Sequence, residues 1–139
     1  MKRPWHIIAV DDVATSSKWY AALLEAQENH PGATVFNQIV DQDGTVLLCL
    51  HWWGPSGSRG DHEWPSLMNK RKGQSGHGIL LWFVVDDFDA AWMRAQKMGV
   101  AVDEAPNMDN GTGMRAFVLR DPDGYYVAIN ELREKKAAS

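Results

Sequence analysis

The sequence predicts an α+β chain of two tandem β-α-β-β-β modules, the first one trimmed. Three observations predict it. Val10-Asp11-Asp12-Val13 recurs as Val85-Asp86-Asp87-Phe88 after 75 residues, and Asp41-Gln42-Asp43-Gly44 recurs as Asp121-Pro122-Asp123-Gly124 after 80. Two matches in one order imply a duplicated unit, with about five residues lost from the first copy. Each copy also runs from an Ile/Val/aromatic stretch through an Asp pair into a helical pattern. The size is right too: 139 residues, 45% hydrophobic and 23% charged, suit one compact domain with a substantial core.

The elements follow in order. Trp5–Val10 and Ile79–Val85 read as first strands. Asp12 and Asp87 then stand where a carboxylate caps a helix and complements its dipole. In the second copy Phe88, Trp92, Ala95 and Met98 make one apolar helical stripe, and Gly99 ends it. In the first copy Val13, Ser16, Trp19, Tyr20, Leu23 and Leu24 give a similar face, running to about Ala26. Strands are expected at Val100–Ala105, Met114–Arg120 and Tyr125–Glu131, the last two joined by the Asp-Pro-Asp-Gly turn. Thr34–Val40 and Val46–Trp52 flank the sister turn, and the remaining strand of that copy is missing or very short. The modules then cover about 4–53 and 79–131. Between them lies a Gly/Ser/Pro-rich loop, 54–78, and after them a frayed tail, 132–139.

Composition excludes several classes. A formal charge of −4 argues against a nucleic-acid binder, and the basic clusters Lys70–Lys72 and Arg133–Lys136 read as solvated loop and tail. No apolar run approaches the roughly 20 residues of a membrane span, and MKRPWHIIAVDD meets Asp11 too early for a signal peptide. A cytoplasmic protein is expected. The single cysteine, Cys49, rules out an internal disulfide and is expected to be a buried, inert thiol. Seven tryptophans are many for this length, and some are expected to line a cavity. No glycine loop has the strand–helix setting that nucleotide binding needs.

VDDVATSSKWYAALL, VDDFDAAWMRAQKMGV and RDPDGYYVAINE together resemble the glyoxalase/bleomycin-resistance/dioxygenase superfamily, the vicinal oxygen chelate proteins, from Trp5 to Glu131. The resemblance implies mixed sheets curled around a cavity and a homodimer. It also implies, in metal-using members, a divalent ion held from the first and last strand of each module. Carried over by the family's spacing, the four ligand positions fall on Trp5, Leu48, Leu80 and Ala128. None offers a donor to a metal. No metal and no cofactor are therefore expected, which leaves the metal-free branch that binds organic molecules in an aromatic cleft.

Alternation of side chains along a strand assigns the rest of the expected wall. Trp5 and Ile7 come from the first strand, Leu48, Leu50 and Trp52 from the last of module 1, Leu80 and Trp82 from the next module's first, and Tyr126, Ala128 and Asn130 from its last. The Tyr126 hydroxyl and Asn130 are the expected orienting groups, Arg115 an expected cation, and Trp64 part of a lid formed by Asp61-His62-Glu63-Trp64. His6 and His51 fall on the opposite face from that wall, unless a one-residue bulge re-aims them. His30 reads as a turn residue, and His77 sits just before the second module. The leading reading is a metal-independent binder of a small hydrophobic or aromatic molecule, akin to bleomycin-sequestering proteins. A metal-dependent lyase or dioxygenase using His6, His51, His62 or Glu63 is the alternative, and a dimeric scaffold with a filled cavity is a third.

Overall fold

The computed structural model describes residues 1–56, 63–68, 76, 79–107 and 114–132. The chain forms two compact units, Met1–Ser75 and Gly76–Ser139, each with one α-helix and one four-stranded mixed sheet among the described residues.

In the first unit β1 (Ile7–Val10) leads to α1 (Val13–Leu24), then β2 (Gln27–Glu28), β3 (Phe36–Val40) and β4 (Val46–Trp52). The sheet order is β1-β4-β3-β2, with β1 parallel to β4 and the other pairs antiparallel. The short strand expected here exists, as the two residues of β2. The second unit repeats the plan with β5 (Leu80–Val85), α2 (Phe88–Met98), β6 (Ala101–Asn107), β7 (Ala116–Arg120) and β8 (Tyr126–Glu131), in the order β5-β8-β7-β6.

Both helices begin as the Asp pairs predict. Asp12 Oδ1 accepts the Thr15 amide at 3.0 Å and Asp87 Oδ1 accepts that of Ala90 at 3.0 Å, each satisfying an amide that has no partner within its helix. Their ends differ. Gly99 closes α2 in the left-handed region (φ 67°), which costs glycine nothing, whereas Glu25 closes α1 in the same region (φ 51°).

Each helix covers one face of its own sheet. In unit 1 Val10, Tyr20, Leu23, Ile39, Leu48 and Leu50 are fully buried, and Asn37 Nδ2 reaches across to Ser17 Oγ on α1 at 3.0 Å. In unit 2 Phe117 sits against Phe88 and Trp92 of α2, at ring-centroid distances of 5.4 Å and 5.0 Å, over buried Leu119, Val127 and Ile129. Burying a side chain of this size contributes about 1.5–3 kcal/mol.

The Asp-x-Asp-Gly turns share a frame and differ in their holding bonds. Gly44 and Gly124 both take positive φ, and each donates its amide to the carbonyl of the first Asp. In the second turn the buried Asp121 carboxylate accepts the amides of Asp123 (2.8 Å) and Tyr125 (2.9 Å). In the first turn the exposed Asp43 takes the Thr45 amide at 2.9 Å, and that bond holds its carboxyl below the usual range. Among the described residues no helix is long and apolar enough to cross a membrane.

Candidate functional site

The face of each sheet away from its helix is where a ligand surface would lie, and strand register fixes its membership. In unit 2 the cross-strand pairs Leu80–Tyr126, Trp82–Ala128, Val84–Asn130, Ala116–Asn130, Val118–Ala128 and Arg120–Tyr126 all lie on that face. Its edge strand is open to solvent: Leu80, Trp82 and Val84 are 48%, 44% and 54% exposed. Ala128 and Asn130, on the neighbouring strand, are buried. Thus Leu80, Trp82, Tyr126, Ala128 and Asn130 share one face.

Unit 1 departs from the expected wall. Val40 pairs with Val46 but Ile39 pairs with Leu48, so Leu47 is an extra residue, a β-bulge. In unit 2 the same stretch runs without interruption, Arg120 to Tyr126 and Leu119 to Val127. Beyond the bulge every side chain of β4 changes faces relative to the prediction. Leu48 and Leu50 pair with Ile39 and Asn37, the residues facing α1, so they belong to the helix-side core and not to a pocket wall. Trp52 pairs with Val10 on that same side. Its ring folds back on the chain, with Nε1 donating to the Pro55 carbonyl at 2.6 Å and the ring so near Gly54 that a Cβ there would come within 2.9 Å. The residues that share the helix-distal face are Ile7 and Ala9 of β1, Phe36 and Gln38 of β3, and Cys49 and His51 of β4. Trp5 precedes β1 and is 59% exposed.

The bulge also moves one of the four positions that the repeat assigns to a metal. Trp82 pairs with Ala128, and its counterpart Ile7 pairs with Cys49, so Cys49 and not Leu48 is the partner of Ala128 in the repeat. The set becomes Trp5, Cys49, Leu80 and Ala128. It contains one possible donor, and burial pushes that thiol's pKa up, against the thiolate a metal requires. These residues do not fit a divalent ion. Among the described residues no group of three or more His, Cys, Asp or Glu could hold one either.

The polar groups also sort differently from expectation. Arg115 does not offer a free cation. Its guanidinium binds Glu131 at 3.0 Å and Asp89 at 2.9 Å and lies over the Phe88 ring of α2, so it belongs to the helix side. The Arg115 amide, followed by the guanidinium, holds the Glu131 carboxyl below its usual range, and the hydrogen bonds to Asp89 and Glu131 raise the pKa of Arg115. The cation of the helix-distal face is Arg120, which the prediction missed. Its guanidinium stacks on the Tyr126 ring at 3.5 Å, binds the Tyr126 hydroxyl and the Gly124 carbonyl, and faces Asp103 at 3.5 Å. The Tyr126 hydroxyl is therefore already engaged. Strand parity from Val118 was the signal that could have found Arg120.

His51 lies on the helix-distal face, 3% exposed, with Nδ1 2.6 Å from the Trp52 carbonyl and Nε2 without a partner among the described residues. Asn130 is 2% exposed, its Nδ2 donating to the Glu131 carbonyl at 2.8 Å and its Oδ1 without a partner among the described residues. His6 and Glu63 are exposed, His30 closes a turn by accepting the Ala33 amide, and Trp64 is 52% exposed ahead of a 3-10 turn, Pro65–Leu67. Asp61, His62 and His77, the basic cluster Lys70–Lys72, and Arg133–Lys136 lie outside the described residues.

Residues 3–129 match the model of the Glyoxalase/Bleomycin resistance protein/Dioxygenase superfamily. The chain belongs to that superfamily. Solved structures share the superfamily fold at low identity. The glyoxalase / bleomycin resistance protein from Catenulispora acidiphila DSM 44928 is 22% identical, with a TM-score of 0.62 over 94% of this chain and 97% of that one. TioX from Micromonospora sp. ML1 is 15% identical, with a TM-score of 0.68 over 94% and 98%. Lactoylglutathione lyase from Agrobacterium tumefaciens is 19% identical, with a TM-score of 0.64 over 94% and 92%. No curated protein sequence matches.

Proposed function

We propose that this superfamily member binds a small hydrophobic or aromatic organic molecule without a metal, in the manner of a sequestering protein. One observation carries the reading. Leu80, Trp82 and Val84 stand exposed in a row on the face away from the helix, beside Tyr126 and a buried Ala128 where a metal-using relative would need a ligand. An exposed aromatic and aliphatic edge next to a buried floor suits a flat apolar guest.

The likeness to a bleomycin resistance protein supports a binding role, and the likeness to a lactoylglutathione lyase does not supply the donors that metal chemistry needs. The exposed apolar side chains Trp5, Ile7, Leu80 and Trp82 also support the expected homodimer, which light scattering on the purified protein checks. The one thiol, buried and unpaired, suits a reducing compartment such as the cytoplasm.

The test is a titration of the purified protein with aromatic probes, followed by tryptophan fluorescence, alongside elemental analysis. Saturable binding without bound metal is expected, and Trp82→Ala should weaken it about tenfold. A stoichiometric, tightly held divalent ion, or a panel of aromatics that leaves the spectrum unmoved, would overturn the reading.

A further inference from the structure

A buried polar atom with no partner is costly, and native chains rarely keep one without a use. Among the described residues three side-chain atoms are of this kind, His51 Nε2, Asn130 Oδ1 and Arg120 Nε, and the first two occupy the same place in the two repeats. His51 pairs with Ala9 on the first strand of its module, and Asn130 pairs with Val84, the counterpart of Ala9, on the first strand of the other. The agreement extends to the bond each makes. His51 Nδ1 lies 2.6 Å from the carbonyl of the following residue, Trp52, and Asn130 Nδ2 lies 2.8 Å from that of its own following residue, Glu131.

A carbonyl oxygen can only accept. Nδ1 of His51 must therefore carry the hydrogen, and the NH₂ of Asn130 must be the group that meets Glu131. At each of these two equivalent positions the atom left over is then an acceptor: a ring nitrogen lone pair in one, when the imidazole is uncharged, and an amide oxygen in the other. The other polar groups on these faces are engaged among the described residues. Gln38 donates to Cys49 Sγ and accepts from Asn29, while the Arg120 guanidinium donates to the Tyr126 hydroxyl and the Gly124 carbonyl; its Nε has no hydrogen-bond partner but stands in an ion pair with Asp103 at 3.5 Å.

We propose that each module's helix-distal face takes a ligand group that donates a hydrogen bond, with His51 Nε2 accepting in the first and Asn130 Oδ1 in the second. The inference rests on the small-molecule reading above and narrows it. The ligand class becomes a flat apolar body bearing a hydroxyl, an amide N–H or an ammonium. An organic anion, which has only lone pairs to offer, is disfavoured at both positions.

Calorimetry on the intact protein with 2-naphthol, 2-methoxynaphthalene and 2-naphthoate separates the cases. The naphthol, which alone donates, should bind about tenfold tighter than the methyl ether, with the carboxylate weakest. His51→Leu and Asn130→Leu should each shrink that preference, and the double variant should abolish it while still binding the ether. Should the ether and the naphthol bind wild type equally, the acceptor assignment falls and the apolar binding face survives. A preference that persists in the folded double variant overturns the assignment as well. If none of the three binds, both readings fall together. The wild-type ranking needs no variant, so the proposal stays open to refutation even where a substitution prevents folding.

Discussion

The two modules share a plan and spend it differently. The second keeps an uninterrupted β8, a buried Asp121 at its turn and a glycine at its helix end. The first has a bulged β4, an exposed turn carboxylate and a glutamate in the left-handed cap. One copy follows the unstrained solution at each point, and the other shows how much departure the plan tolerates. The bulge matters most for function, because it decides which side chains of β4 sit with α1 and which face away.

The sharpest way to break this comparison is to delete one residue from each last strand. Removing Leu47 should take out the bulge, leave Leu48 opposite Ile39 and preserve a cooperative melt. Removing Val127 has no bulge to absorb it, so it should turn Ala128 and Asn130 toward α2 and abolish folding. Near-ultraviolet dichroism and thermal melts read both. Next in size, Asp121→Ala leaves the amides of Asp123 and Tyr125 without their acceptor and should cost about 1–3 kcal/mol in denaturant unfolding, far more than Asp41→Ala. Smaller again, Glu25→Gly should gain about 1 kcal/mol by relieving the left-handed cap, whereas Gly99→Ala should lose about as much.

The gentlest test is acid. Asp12 is held below its usual value of 3.8 by the Thr15 amide, Asp43 likewise by the Thr45 amide, and Glu131 below 4.5 by the Arg115 amide and guanidinium. A carboxyl whose folded pKa is depressed supplies stability above its unfolded value and loses it as pH falls through the folded one. The melting temperature should therefore be flat near neutrality and decline below about pH 4.5. The decline should be shallow, because Asp12 and Asp43 are exposed to solvent and Glu131 is only partly covered.

Which parts of this could be read from the sequence follows from where its pattern alternates. In YYVAIN, Val127 and Ile129 alternate with Tyr126, Ala128 and Asn130, so the face of each residue was determined. In VLLCLHW the apolar residues run without a break through Leu47, Leu48, Cys49 and Leu50, and either phase would bury a hydrophobic side chain. Nothing local marks Leu47 as the surplus residue, so simple alternation places Leu48, Leu50 and Trp52 on the wrong face and His51 opposite them, and only the bulge reverses this. Arg115 failed for a different reason. Its partners Asp89 and Glu131 are 26 and 16 residues away in the chain, and only the tertiary fold brings them to it. The helices were readable because their signals are local: an Asp before the first turn, an apolar stripe, and in α2 a closing glycine.

The clasp between His51 and the Trp52 carbonyl has a consequence for the proton itself. An uncharged imidazole in water exchanges its hydrogen between two nitrogens, but here one position is always taken. A single resident N–H, shielded beneath a nearly closed surface, should persist as one slowly exchanging, far-downfield resonance in nitrogen-edited spectra. Its frequency would report directly whenever a guest reaches the other side of the ring.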